Sequence, residues 1–380
     1  MRIHTTPDYV SLHPGYNWLM RPVILFSALL LATLASFLFS LSSGSVELGW
    51  QQLLAAMTGD TQGLAERVVV ELRWPRAAAA FTTGALLALA GGLMQVLLRN
   101  PLADPYVLGV SGGAATGALL ALAGGLMQVL LRNPLADPYV LGVSGGAATG
   151  ALLALLFGLG SLWLHGAAFS GALFSMLLVF GLSHGRGSWT TSRLLLTGVV
   201  VAAGWGACIG FILALSPEQG LRGMLFWLMG DLGYATVPYT GFSILVAGLL
   251  ITLAVARSLN ILTHGELAAA SLGVRIKFLR RLIYLLASLL TATAVTLAGT
   301  IGFVGLIVPH MLRLAGVRDH RVLLPAAVLL GGCLLVVADT LARTLLAPRQ
   351  LPVGVLTALV GVPLFLALLH HSRTLYGDEN

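Results

Sequence analysis

Long apolar runs alternate with short polar segments along nearly the whole chain. Each run is long enough to cross about 30 Å of hydrocarbon as one α-helix. The uncharged stretch 282–312 is too long for a single crossing, and the pattern predicts a break at Gly299 and Gly302 in the sequence GTIGFVG. Eleven spans are predicted, at 22–42, 77–98, 106–131, 139–164, 167–183, 194–215, 238–256, 282–298, 301–316, 322–346 and 353–371.

Composition places most of these residues in lipid. Charged residues make up 9% of the chain and hydrophobic residues 57%, with a mean hydropathy of +0.93. Soluble domains carry about 25% charged residues, so water cannot be the main solvent of this chain. No charged or Ser/Pro-rich linker divides it, which predicts one transmembrane domain over residues 1–380. The expected fold is an all-α polytopic integral membrane helical bundle.

The distribution of basic residues predicts the orientation of the bundle. The net charge of +7 comes almost entirely from arginine, since Lys277 is the only lysine. Five basic residues and one acid, Glu266, lie within 257–281, and a second basic loop spans 313–321. In segment 44–76 acids and bases nearly balance. The positive-inside rule places both basic segments in the cytoplasm and 44–76 outside. It accounts for the charge without a nucleic acid partner.

An exact internal repeat occupies the first third of the chain. Thr83–Leu122 is identical to Thr116–Leu155, an offset of 33 residues, so 84–116 and 117–149 are tandem copies. Structural repeat families keep a pattern while their residues diverge, so this identity indicates a recent duplication or an assembly error in the sequence. One added span would reverse every later helix, against the charge pattern. We therefore expect one copy to be displaced from the bundle, while helices after about residue 164 keep their orientation.

No catalytic, metal or cofactor site is predicted. A Walker-type phosphate loop needs the sequence Gly-Lys-Ser/Thr, but Lys277 follows Ile276, so any ATP must bind a separate subunit. His310 has no second His, Cys or carboxylate at metal-ligand spacing and is interpreted as a packing or hydrogen-bonding residue. Cys208 and Cys333 lie in separate apolar runs and are interpreted as small core residues without a disulfide.

Asp339 is the acid most deeply placed in an apolar run, LLVVADTLARTLL. A carboxylate inside a membrane is costly and indicates a functional role, which leaves a proton- or ion-coupled secondary transporter as an alternative function. Arg343 follows four residues later on the same side of the helix. We favour a structural ion pair between the two near the external end.

Four motifs carry a resemblance to a known family: RNPLADPYVLGVSGGAATGA, RSLNILTHGELAAASLGV, GTIGFVGLIVPHMLRLAGVRDHRVLLP and ADTLARTLLAPRQLPVGVLTALVGVPLFLALL. In order and spacing, from about Leu72 to the C-terminus, they resemble the permease subunits of ABC importers for iron–siderophore complexes, haem and vitamin B12.

The resemblance implies a type II importer transmembrane subunit of ten helices, and removing one repeat copy leaves 347 residues and ten spans. It further implies a homodimer around a central pathway in the inner (plasma) membrane. Separate ATPase subunits would bind on the cytoplasmic side, and a periplasmic or extracellular binding protein would deliver the ligand. The chain itself would hold no cofactor. Iron–siderophore, haem and cobalamin are the expected ligands, in that order.

The segment 260–274, NILTHGELAAASLGV, is a candidate site for coupling to the ATPase. Its small residues between Gly265 and Gly273 predict a short, mildly amphipathic helix. An ordinary cytoplasmic loop is the alternative. By the resemblance, it is the coupling loop, with matching positions at Gly265, Glu266, Ala269, Leu272 and Gly273.

Three arginines at the predicted outer side are candidates for docking the binding protein: Arg73, Arg76 and Arg343. A planar guanidinium suits paired hydrogen bonds to a carboxylate, and the resemblance places acidic residues of the binding protein opposite them. Interfacial anchoring of each side chain is the alternative.

A hydroxyl-rich turn, Thr190, Thr191 and Ser192, is a candidate gate of the translocation pathway. The resemblance places it at the cytoplasmic mouth, where small hydroxyl side chains can close tightly and still form hydrogen bonds. Helix capping is the alternative. Separately, Gly230 in FWLMGDLG is predicted to mark a break in a short external helix.

Overall fold

A computed structural model of the chain describes residues 20–44, 55–56, 67–97, 143–183, 191–233, 238–263 and 265–376. All regular secondary structure in these ranges is helical, as predicted. A π-helical segment, Arg67–Arg73, runs directly into the second α-helix. The described ranges contain twelve α-helices: α1 Met20–Ser42, α2 Trp74–Leu97, α3 Val143–Leu156, α4 Ser161–Ser183, α5 Thr191–Leu215, α6 Glu218–Leu228, α7 Tyr239–Thr263, α8 Glu266–Ser271, α9 Ile276–Ala298, α10 Val304–Leu314, α11 His320–Thr344 and α12 Val353–Tyr376.

Seven helices in the described ranges are long and apolar enough to cross a membrane: α1, α4, α5, α7, α9, α11 and the helix formed by the π-helical segment with α2. The polytopic membrane fold is therefore confirmed. The predicted break after residue 298 is also confirmed, because α9 ends at Ala298 and Gly299 takes a φ of 69°. The predicted span 106–131 lies outside the described residues.

Two predicted spans are wrong in extent. The span 139–164 contains the end of α3 at Leu156, a turn at Gly158 with a φ of 64°, and the start of α4 at Ser161. The span 301–316 contains only the 11 residues of α10, a length of about 16 Å at 1.5 Å per residue, too short to cross hydrocarbon. Apolar runs alone could not reveal these interruptions, because the turns are apolar too.

Helix α2 forms the centre of the bundle and packs against α9, α10 and α11. Glycines let its backbone touch the neighbouring helices. A Cβ on Gly84 would lie 2.1 Å from the carbonyl oxygen of Gly331, and one on Gly91 would lie 1.9 Å from that of Gly305. Such close backbone approach is how helices pack tightly in lipid, where exclusion of water does not drive their association.

Both copies of the repeat contribute to the described bundle, but with different parts. Residues 84–97 of the first copy form most of α2, and residues 143–149 of the second copy begin α3. Residues 98–142 connect these helices in sequence; subtracting the 33 residues of one copy leaves a connection of 12. The extra length therefore lies between α2 and α3 and does not coincide with one whole copy. Displacement of a copy from the bundle stays a prediction.

The two basic segments lie together at one end of the bundle. At the C-terminal end of α7, the Asn260 side-chain amide donates to Asp319 Oδ1 at 2.7 Å, and Asn260 Oδ1 accepts from the backbone N–H of His320 at 3.0 Å. Asp339 lies 19 residues further along α11 than His320, about 28 Å away at 1.5 Å per residue. The predicted cytoplasmic and external groups are therefore at opposite ends of the bundle.

Candidate functional site

A buried carboxylate holds two arginines at the predicted outer end. Asp339 is 0% exposed. Nε of Arg76 donates to Oδ1 and Oδ2 of Asp339 at 3.1 and 3.0 Å, and Nη2 donates to Oδ1 at 3.0 Å. Nε of Arg343 lies 3.3 Å from Oδ2. The ion pair predicted between Asp339 and Arg343 is confirmed.

The sequence did not reveal the contribution of Arg76. Arg343 reaches Asp339 from the next turn of α11, whereas Arg76 is 263 residues away in the chain and lies in the first turn of α2. Packing of α2 against α11 brings the two together. Asp231, just beyond the end of α6, lies 4.0 Å from Arg76 Nη2, so a second acid contributes to the cluster.

The arginines also hold the end of α1. Nη1 of Arg73 donates to the carbonyl oxygens of Leu41 at 2.6 Å and Ser42 at 3.1 Å. Nη2 of Arg343 donates to the carbonyl oxygen of Ser40 at 3.2 Å and to its hydroxyl at 2.9 Å. The last carbonyls of a helix have no partner within the helix and carry its negative dipole end, so cations stabilise them.

The structure thus brings the three predicted docking arginines together and turns them inward. Arg73 is 4% exposed, and the side chains of Arg76 and Arg343 are 11% and 9% exposed. Their guanidinium groups already contact carbonyls and carboxylates of the same chain. Docking of a binding protein by these residues stays a prediction, and any such contact would add to an internal role.

At the opposite end, the predicted coupling segment is a short helix between two glycines. Helix α8 covers Glu266–Ser271, and the flanking Gly265 and Gly273 have φ values of 114° and 79°. Among the described residues, no heavy atom beyond the glycine and its chain neighbours lies within 4 Å of a Cβ built at either position. The positions therefore require glycine for backbone conformation and not for space.

Helix α8 is anchored by one buried residue and projects two leucines. Ala269 is 0% exposed and belongs to the main hydrophobic core, whereas Leu267 and Leu272 are 90% and 68% exposed. Of Glu266 the structure describes the backbone alone. Large exposed apolar side chains beside a buried anchor are typical of a helix that fits into a groove on a partner. The coupling role itself stays a prediction.

Asp319 links two helices at this end of the bundle. It caps α11 by accepting from the backbone N–H of Arg321 at 2.9 Å and is tied to α7 through Asn260. Burial alone would raise the pKa of Asp319, but these two hydrogen bonds and the positive charge of Arg321 hold its pKa below the ordinary value. The carboxylate therefore stays ionised and links the start of α11 to the end of α7.

The remaining predictions at this end have mixed outcomes. Thr190 lies outside the described residues, and Thr191 and Ser192 begin α5 with only their backbone described, so their role as a gate stays a prediction. Among the described residues, neither ring nitrogen of the buried His310 has a hydrogen-bond partner, which fits the packing role of the two roles predicted for it. At the other end, Gly230 takes a φ of 79° two residues after α6 ends, which confirms the predicted helix break.

Comparison with known proteins finds similar transport permeases. The sequence profile of the FecCD transport family matches residues 30–119 and 114–371. Over 360 residues the chain is 37% identical to the hemin transport system permease protein HmuU of Yersinia pestis, covering 94% of this chain and 98% of that protein. Over 312 residues it is 40% identical to the cobalamin import system permease protein BtuC of Halobacterium salinarum, covering 80% and 74%.

A solved structure also matches. It is a metal-chelate type ABC transporter in an inward-facing conformation, and it aligns with a TM-score of 0.74 and 28% identity. The alignment covers 92% of this chain and 99% of that one.

Proposed function

Because the chain belongs to the FecCD transport family, we propose that it moves an iron–siderophore-type chelate across the inner membrane after delivery by a binding protein. It is a multi-pass inner-membrane protein and a permease subunit of an ABC importer for haem, cobalamin or metal chelates. A secondary transporter that uses Asp339 is not favoured, because two guanidinium groups already neutralise that carboxylate.

The observation that carries the proposal is the helix α8 with its projecting leucines. The chain has no Walker-type phosphate loop, so ATP must act through a separate subunit. Leu267 and Leu272 present an apolar surface to such a subunit, and Ala269 connects α8 to the main core. We propose that motion of the ATPase enters the bundle through this helix.

The remaining partners are part of the same proposal. A homodimer would enclose the pathway between two copies of the chain. A periplasmic or extracellular binding protein would dock at the end that bears Arg73, Arg76 and Arg343. Among ligands, a metal chelate is supported by the solved metal-chelate type ABC transporter, whose alignment covers 92% of this chain. Haem is the second candidate, supported by the hemin permease HmuU, which aligns over 98% of its length.

Uptake by the assembled transporter tests this proposal. The full-length chain, its ATPase and its binding protein are reconstituted in liposomes, and uptake of a ferric siderophore, haem and cobalamin is compared. We expect ATP-dependent uptake of the ferric siderophore that requires the binding protein. Preferred uptake of haem or cobalamin would replace the ligand and keep the importer. Uptake driven by a proton gradient without the ATPase would overturn the function.

A further inference from the structure

A cavity of about 820 Å³ lies beside the coupling helix, between the end of α7, the turn after α8 and the start of α9. Its volume falls in the range of about 300–1,000 Å³ that is typical of small-molecule sites. The mechanism proposed above involves Leu272 of its lining but assigns the cavity no ligand. Its lining includes Arg257, Ile261, Leu272, Arg275, Phe278 and Leu279.

The charges at this cavity are all positive. Arg257 and Arg275 line it, and an adjoining cavity of about 500 Å³ shares Arg275 and adds Lys277 and Arg281. Of the residues whose side chains the structure describes, no Asp or Glu lines either cavity. Among the described residues, none of these four cations forms an ion pair. The cavities therefore attract an anion.

The rest of the lining is apolar. Ile261 and Leu279 belong to or pack against the main core, while the ring of Phe278 is 57% exposed. The guanidinium of Arg275 lies over that ring at 5.7 Å from its centroid. A ligand in this cavity would meet cations and hydrocarbon side by side, so a small hydrated anion would use only part of the site.

The cavity lies where membrane-spanning helices reach the water. Helix α7 contributes four lining residues near its C-terminal end, and α9 contributes two in its first turn; both helices are long and apolar enough to span a membrane. The 90% exposed side chain of Leu267 on α8 is not among the lining residues. The surface suited to a partner subunit and the basic cavity therefore share Leu272, whereas Leu267 belongs to the partner surface alone.

We propose that this cavity binds an anionic phospholipid of the cytoplasmic leaflet. Its phosphate would contact Arg257 and Arg275, and an acyl chain would follow Phe278 and Ile261 toward the bilayer. Basic pockets between spanning helices on the cytoplasmic side are suited to such headgroups. The inference does not depend on which ligand is transported.

Lipid binding to the purified full-length chain tests the inference. Delipidated protein in detergent is titrated with phosphatidylglycerol and with phosphatidylcholine of the same acyl chains, and bound lipid is counted by native mass spectrometry. We expect tighter binding of phosphatidylglycerol. Each cation near a phosphate contributes about 1 kcal/mol, so the double substitution R257Q/R275Q is expected to weaken phosphatidylglycerol binding about 30-fold.

Arg222→Gln is the matched control, because Arg222 on α6 also lies over a phenylalanine ring, that of Phe226 at 5.5 Å, and does not line the cavity. It should leave lipid binding unchanged. Equal binding of the two lipids would overturn the inference. So would inorganic phosphate competing as well as the lipid does, which would indicate an anion site alone. Unchanged phosphatidylglycerol binding by the double variant, with weaker retention of the ATPase, would assign the cavity to that subunit instead.

Discussion

Arg76 and Asp339 are 263 residues apart in the chain and form three hydrogen bonds of 3.0–3.1 Å at one end of the bundle. Both side chains are largely removed from solvent, at 11% and 1% exposed. Arg343 contacts the same carboxylate. Two cations on one acid explain how a charged Asp can lie in an apolar helix, since a buried charge is tolerated when it is paired and hydrogen-bonded.

Loss of this carboxylate should destabilise the fold. Asp339→Asn removes the negative charge that both buried guanidinium groups contact, and removing one partner of a buried pair costs about 3–5 kcal/mol. Thermal unfolding of the purified chain in detergent measures the effect. Asp231→Asn is the control, because Asp231 lies 4.0 Å from Arg76, farther than the 3.0 Å of Asp339, so its loss should cost less. Equal stability of the two variants would contradict the central role of Asp339.

Gly273 should be needed for coupling and not for folding. At its φ of 79° a side chain is strained by about 1–2 kcal/mol, so Gly273→Leu should move α8 without unfolding the bundle. The ATP hydrolysed per ligand transported is expected to rise. Gly316→Leu is the control, since Gly316 has a φ of 88° and equally open surroundings but precedes α11. A similar rise in both variants would show that the strain acts on the fold generally.

Replacement of the three inward arginines should weaken docking of the binding protein. The triple change R73Q/R76Q/R343Q removes the charges predicted to meet acidic residues of that protein. The same arginines also contact α1 and Asp339, so the affinity for the binding protein is measured on the folded fraction of the variant. Arg222→Gln is the control. It changes an exposed arginine of α6, and the loop after α6 carries Asp231, which lies 4.0 Å from Arg76. A larger effect of Arg222→Gln than of the triple change would refute docking by the inward arginines.

Deletion of one repeat copy should raise the yield of monodisperse protein and the rate of uptake. Removing residues 117–149 leaves the sequence VSGGAATGALLALL of α3 intact and shortens the connection from α2 to 12 residues. We expect a higher yield of monodisperse protein and faster uptake. A variant without Gly84–Thr116 has the same sequence, so the two deletions are one experiment. A lower yield would mean that the added residues have a structural role.

The basic end should face the cytoplasm despite the repeat. Single cysteines at His264 and Arg318, introduced after Cys208 and Cys333 are replaced, are tested with a membrane-impermeant thiol reagent on intact cells. We expect no labelling from outside. Arg349→Cys, an exposed position that follows α11, is expected to label and serves as the control. External labelling of positions 264 and 318 would show that the later helices are inverted.

Features that depend on neighbouring residues alone were predictable. The long helices, the break at Gly299 and the short helix between Gly265 and Gly273 all appear where the apolar pattern and the glycines place them. In lipid the backbone of each span must form its hydrogen bonds within its own segment, so the local sequence carries the signal. The segregation of basic segments was predictable for the same reason, since it depends on composition along the chain.

The sequence by itself determined that this chain is a helical membrane bundle, where its apolar segments lie and which end carries the basic loops. Tertiary structure decided which charges meet, because Arg76 reaches Asp339 only through the packing of α2 against α11. It also decided the contribution of each repeat copy. The two copies are identical in sequence, so their local conformational preferences are the same. Only the different neighbours of 84–97 and 143–155 can explain why these two segments occupy different places in the core.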